Sequence, residues 1–266
     1  MLKPSTLSAI KLFSFIILLS ACGIKKPINV SKNPSSTVYN QMSEDLLTKL
    51  KADQNILEIQ TKLVEVSDKQ LYATLKTDEQ KKSFWLNIYN AYIIAALNRS
   101  PEWYKDRGTF FSKHQVNIAG HLLSFDDIEN GIIRKSQYKF GLGYVRRVWP
   151  SKFERKMRVN ERDYRIHFAL NCGANSCPPV RIYKAETVDA QLENTSNLYL
   201  QKYTTYNKKN NTVTTSSLTN WFKGDFGGKN GVIQILDGFN IIPKDTKPTI
   251  AYGNYDWTLN INNFAP

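Results

Sequence analysis

Sulfur and imidazole are scarce in this chain. Its 266 residues include only three cysteines, three histidines and three methionines. So few thiols exclude a disulfide-dense scaffold, which needs several bridges to replace a core. Acids are also short. Asp and Glu number 23 against 36 Lys and Arg, for a formal net charge of +13. Such a surplus favours acidic surroundings, anionic lipid head groups among them, and says nothing about fold. Long apolar runs are missing as well. The strongest, Leu12 to Leu19, is too short to span a bilayer comfortably as a permanent helix. There is no internal repeat and no compositional break, which points to one domain.

What the first segment does contain is ordered like an export signal. "MLKPSTLSAIKLFSFIILLSAC" has Lys3 and Lys11, then the short apolar run, then small residues. The ending "LSAC" resembles the bacterial lipobox, in which the leader is cut before the cysteine and that cysteine is lipidated. The expected layout is therefore a leader over 1–21, an acylated Cys22, and a tether over 22–38 that is polar and rich in Pro and Ser. The folded part is expected over 39–264. Lipid anchoring makes the membrane a partner, puts the chain in the bacterial cell envelope, and makes nucleic acid an improbable one. The side of the envelope stays open: periplasmic face of either membrane, or cell surface.

Residues 39 to 75 repeat apolar side chains at three- and four-residue spacing and read as helical. The clearest helix is Asp78 to Asn98, opened by "TDEQ" and stopped at Ser100-Pro101. Apolar residues surround it, so it is expected to be buried. Asn87, Asn90 and Asn98 interrupt that surface on one side. They read as ties to a neighbouring loop or as the lining of a polar cleft, together with His167 and Asn171. "KHQVNIAGHLLSF" predicts two short strands turning at Ala119-Gly120. Asp126 and Glu129 read as an acidic capping pair. The basic stretch 146–165 reads as a solvated loop. "DYRIHFAL" predicts a strand with Ile166, Phe168 and Leu170 on one face. A helix from about residue 186, a polar hairpin near 207–217 and a final strand near 250 complete an α+β domain. Its buried helix is expected to pack on a mixed, mostly antiparallel sheet.

"HFALNCGANSCPP" (167–179) holds two of the cysteines and one histidine, and admits three chemistries. As a thiol site, Cys172 would be the nucleophile, His167 or His121 the base, Asp256 the orienting acid, and Asn87 or Asn90 an amide donor to the developing charge. His167 lies five residues before Cys172, about 16 Å along an extended strand. Cys177 precedes proline and is poorly placed to start a helix. As a metal site, His167, Cys172 and Cys177 would need His121, His114 or water as a fourth ligand. As a structural corner, Cys172 and Cys177 would pair across the turn formers Gly, Asn and Ser. Export favours the third reading, which implies no metal and no cofactor.

"FWLNIYNAYIIAAL", "HLLSFDDIENGIIR", "IHFALNCGANSCPPVRIY", "WFKGDFG" and "YDWTLN" come in one order over about 84–260. In these the chain resembles the domain of unknown function 547 family. The resemblance implies a single α+β domain with no settled activity, and a distant likeness to papain-like or transglutaminase-like thiol enzymes. The family pattern has a histidine where this chain has Asn130, so any chemistry of that histidine would be missing. The expectation is an envelope lipoprotein that binds a ligand or partner through a polar cleft. The alternative is a thiol hydrolase or acyltransferase acting on peptide or amide bonds.

Overall fold

A computed structural model describes residues 35–265. The expected leader, Cys22 and most of the expected tether lie outside them.

Three reciprocal caps set the first helices. Thr37 Oγ1 accepts from the Asn40 amide at 3.3 Å, and the Asn40 side chain accepts from the Thr37 amide at 3.1 Å, opening α1 (Val38–Lys51). After α2 (Leu57–Glu65), Ser67 and Gln70 repeat the device for α3 (Asp68–Thr74), as do Thr77 and Gln80 for α4 (Asp78–Arg99). Each pair satisfies amides that have no partner inside their own helix. The helical region expected over 39–75 thus resolves into three helices.

Helix α4 is the centre of the molecule. Phe84, Leu86, Ile88 and Ile93 spread around its circumference, and all are buried. Such a helix needs neighbours on every side. They are α1, a 3-10 turn over Pro101–Asp106, a π-helix over Asp127–Ile133, and α7 (Val188–Tyr203), which follows α5 (Arg107–Ser112) and α6 (Lys152–Met157) in the chain. The sheets are small and peripheral. Strands β1 (Val116–Ile118) and β2 (His121–Leu123) form an antiparallel hairpin. Strands β3 (Thr205–Asn207) and β4 (Thr212–Thr215) are antiparallel, and β5 (Thr249–Tyr252) joins β4 in parallel. The class is α+β with mixed, mostly antiparallel sheets, and the central helix is enclosed chiefly by helices. Helices α8 (Leu218–Trp221) and α9 (Gly228–Gly238) lie between β4 and β5. They pack a second apolar cluster of Phe168, Tyr199, Val213, Phe226 and Leu236 beside the main one.

Two local expectations are corrected. "DYRIHFAL" is not a strand: Tyr164–Phe168 is a 3-10 turn, capped where the Asp163 side chain accepts from the Arg165 amide. Ile166 and Phe168, expected on one face, enter different apolar clusters, so their alternation reflects two cores and not two sides of a sheet. The cap before the π-helix is also shifted. Ser124 and Asp127 form the reciprocal pair, at 3.1 and 3.0 Å. Asp126 instead meets Lys139 at 2.6 Å, and Glu129 accepts from the Tyr89 hydroxyl at 3.3 Å. Among the described residues, no helix is long and apolar enough to cross a membrane.

Candidate functional site

The central stretch is a corner pinned to α4 by two asparagines. Asn90 donates to the Ala169 carbonyl at 3.0 Å and accepts from the Asn171 amide at 2.8 Å. One turn earlier, Asn87 donates to the Tyr183 carbonyl at 2.8 Å and accepts from the Tyr183 amide at 2.9 Å. Asn171 closes the turn itself, accepting from the Gly173 amide and donating to the Pro178 carbonyl, both at 2.8 Å. All three side chains are buried with their polar atoms satisfied, whereas Asn98 is exposed. Gly173 has φ +84°, and a Cβ there would stand 2.7 Å from Leu97 Cδ1, so only glycine lets the corner sit this close to α4.

Cys172 and Cys177 are joined in a disulfide, with their Cα atoms 6.1 Å apart. The side chain hydrogen-bonded to the sulfurs is Tyr255, whose hydroxyl lies 3.5 and 3.2 Å from them. The residues considered for a triad are dispersed. His167 is bound to Asp225, His121 to Asp68, and exposed Asp256 to Asn175 at 2.8 Å.

His167 belongs to an interior ionic cluster. Its Nε2 lies 2.8 Å from Asp225 Oδ2, and its ring stacks on Phe222 at 3.9 Å. The same carboxylate accepts from Arg134 Nε at 2.7 Å and from Arg162 Nη1 at 3.1 Å. Arg134 also donates to Asn130, at the position where the resemblance leads one to expect histidine. Burial pushes the His167 pKa below its ordinary value, and the Asp225 hydrogen bond opposes this only in part. Burial acts to raise the Asp225 carboxyl, but the His167 hydrogen bond and charge, with the Arg134 guanidinium, outweigh it and hold the carboxyl at about 2. The cluster is enclosed by Phe222 and Phe226 and serves to hold elements together.

Open chemistry lies elsewhere, in a cleft of about 370 Å³ between the β1–β2 hairpin and α6. Ala119 and Gly120 turn that hairpin with φ of +54° and +74°, the left-handed pair that a two-residue loop requires. This presents His121, whose Nε2 is 2.7 Å from Asp68 Oδ1 and whose ring lies 4.1 Å from that of Phe153. His114 Nε2 is 3.3 Å from Asp127 Oδ2. Arg147 bridges Asp127 at 3.2 Å and Glu154 at 3.1 Å. Burial acts to raise the Asp127 carboxyl, but the Ser124 hydrogen bonds and Arg147 outweigh it and lower it. Glu154 is buried, yet its Oε1 has no hydrogen-bond partner. The indole of Trp149, 91% exposed, stands at the rim. A larger concavity of about 690 Å³ on the β3–β4 hairpin is lined by Thr, Asn, Tyr and Lys side chains and lacks such paired groups. Among the described residues, no group of three or more His, Cys, Asp or Glu is placed to hold a metal ion.

Asp127, Arg147 and Glu154 escaped the sequence reading as site residues, and His114 entered it only as a possible fourth metal ligand. They come from three separated segments, and Arg147 lies in the stretch expected to be a solvated loop.

Residues 72–200 match the family described as "Protein of unknown function, DUF547", which supports assigning this stretch to that domain family. Neither the curated proteins nor the solved structures yield a match.

Proposed function

We propose that this chain is a lipid-anchored protein of the bacterial cell envelope, held through Cys22, which binds a hydroxyl- or amine-bearing ligand in the cleft between β1–β2 and α6. The observation that carries the binding reading is Glu154, a buried carboxylate lining the cleft whose Oε1 has no hydrogen-bond partner. An unpaired buried acceptor costs about 1–3 kcal/mol, and a ligand donor would remove that cost. His114 and His121 supply two further polar contacts, and Phe153 and Trp149 an apolar wall, the mix usual in small-molecule sites. The thiol-hydrolase alternative gains no support here, because the sulfur it needs is bonded to Cys177 and neighboured by Tyr255. Anchoring rests on the sequence "LSAC" and its leader.

The three histidines give a clean test, since two line the cleft and the third is interior. Full-length chain is titrated with glucosamine, a probe carrying both an amine and hydroxyls, while the imidazole C–H resonances are followed. The resonances of His114 and His121 should shift and that of His167 should stay; Glu154→Gln should weaken the response several-fold. Three unmoved resonances up to the highest soluble concentration would remove the binding reading. Mass spectrometry of the Cys22 peptide tests the anchor separately, and an unmodified thiol there would remove it.

A further inference from the structure

Seven of the exposed large apolar side chains fall within one loop. Between residues 138 and 149, Tyr138, Phe140, Leu142, Tyr144, Val148 and Trp149, with Val145, all stand out into solvent; Phe140 is 75% exposed. Single exposed apolar residues are ordinary, but a concentrated group marks a surface built for contact.

The loop is not slack. Tyr138 and Val145 pair through the backbone at 2.8 Å, the Tyr144 amide donates to the Gly141 carbonyl at 2.8 Å, and the Arg147 amide to the Ser136 carbonyl at 2.8 Å. Two further bonds clamp its tip to the interior. The Gly224 amide donates to the Leu142 carbonyl at 2.7 Å, and Arg162 donates to the Gly143 carbonyl at 2.7 Å. Gly143 has φ +84°, and a Cβ there would fall 2.5 Å from Asp225 Oδ1, so the tip rests directly on the buried ionic cluster. With the backbone satisfied and the tip fixed, the apolar side chains have nowhere to fold back.

Charge identifies the occupant. Residues 138–158 contain seven Lys and Arg against one carboxylate, Glu154, which is buried. Lys139 is paired with Asp126, but Arg146, Lys152, Arg155 and Lys156 are exposed. Aromatic rings interleaved with bases are the composition that lies at a bilayer interface. The rings sit at head-group depth, the bases meet anionic lipid, and long basic side chains reach out to the phosphates. We infer that the 138–149 loop is a docking surface for an anionic lipid bilayer, with Trp149 and Phe140 entering the interface. This goes beyond the ligand reading: it shares Trp149 with the cleft but rests on the exposed rings and bases of the loop.

The test uses the full chain with vesicles whose acyl chains are brominated, made of phosphatidylcholine alone or with added phosphatidylglycerol. The contribution of Trp149 is the difference between the parent and Trp149→Phe, a change that a side chain this exposed should tolerate without loss of fold. Trp149 emission should be quenched by more than half with phosphatidylglycerol, much less without it, and less at high salt, where charges on the surface are screened. The double variant Arg146→Glu/Lys152→Glu should lose most of the quenching while keeping its circular dichroism. Equal Trp149 emission in both vesicle types at low salt would overturn the proposal. So would a Trp149 response that follows protein concentration and not lipid, which would make the loop a self-association face.

Discussion

His167 Nε2 and Asp225 Oδ2 stand 2.8 Å apart in the interior, which couples the central stretch to the segment before α9. The pair has a definite pH signature. The folded His167 stays neutral down to its lowered pKa and is charged only below it, while an unfolded chain would protonate it near about 6.5. Its contribution is therefore complete above about 6.5 and declines as the pH falls below that value. Asp225 titrates at about 2 when folded and near about 4 when unfolded. Its contribution is present above about 4 and is lost as the pH falls toward 2. Urea midpoints should fall in two steps on acidification, and His167→Gln should remove the first step alone. Asp225→Asn leaves Arg134 buried without its counter-charge and should cost about 3–5 kcal/mol at neutral pH. A flat profile between pH 7 and 5 would contradict the assignment.

Asn87 should be as sensitive as an apolar core residue. Its side chain satisfies both backbone groups of Tyr183 and also donates to Ser43 at 3.2 Å. Asn87→Ala leaves a buried amide and a buried carbonyl unpaired, each worth about 1–3 kcal/mol. Asn87→Asp restores the acceptor but not the donor, and should recover only part of the loss. Equilibrium denaturation of the two variants gives the comparison. Exposed Asn98, on the same side of α4, serves as the control and should change stability little on substitution.

What could be read from the chain follows from how local each signal is. Helix α4 was legible because Thr77, Gln80 and Pro101 bound it within its own sequence. The β1–β2 hairpin was legible from Ala119-Gly120. The disulfide was legible because only two cysteines remain once Cys22 is set aside, and they are five residues apart. Asn87 and Asn90 were visible as polar intrusions on an apolar helix, but whether they faced a cleft or a loop depended on residues about 80 to 100 positions away. The Tyr164–Phe168 turn was misread because the presence of two apolar clusters, not one, is a tertiary fact. The cleft was invisible for the same reason: Arg147 gains its meaning only from Asp127 and Glu154.

The corner should depend on its sulfur bond by a modest amount. Closing a five-residue separation removes only a small loop entropy, so reduction, or Cys172→Ala with Cys177→Ala, should cost about 2 kcal/mol. The fold should survive, since Asn90 and Asn171 still hold the turn. The urea midpoint of the parent should fall in the presence of reductant, and that of the double variant should not respond. A parent midpoint indifferent to reductant would mean that the cysteines are not joined.

Gly131, inside the π-helix, should resist substitution. A Cβ at this position would lie 2.9 Å from Glu154 Cδ and 3.0 Å from its Oε2. A flexible carboxylate would move aside at little cost, but this one is buried and its Oε2 is held by Arg147 at 3.1 Å. Replacing glycine by alanine inside a helix normally gains about 0.5–1 kcal/mol. Here the clash should exceed that gain and leave a net loss of about 1–3 kcal/mol, the usual cost of overpacking. Truncating the obstacle tests the cause. In a double-mutant cycle, Gly131→Ala should become neutral or stabilising in a Glu154→Ala background, whereas strict additivity would show that Glu154 is not what the methyl group meets. Because Glu154 also carries the unpaired acceptor of the cleft, Gly131→Ala should alter the imidazole response of His114 and His121 to glucosamine and leave His167 unmoved.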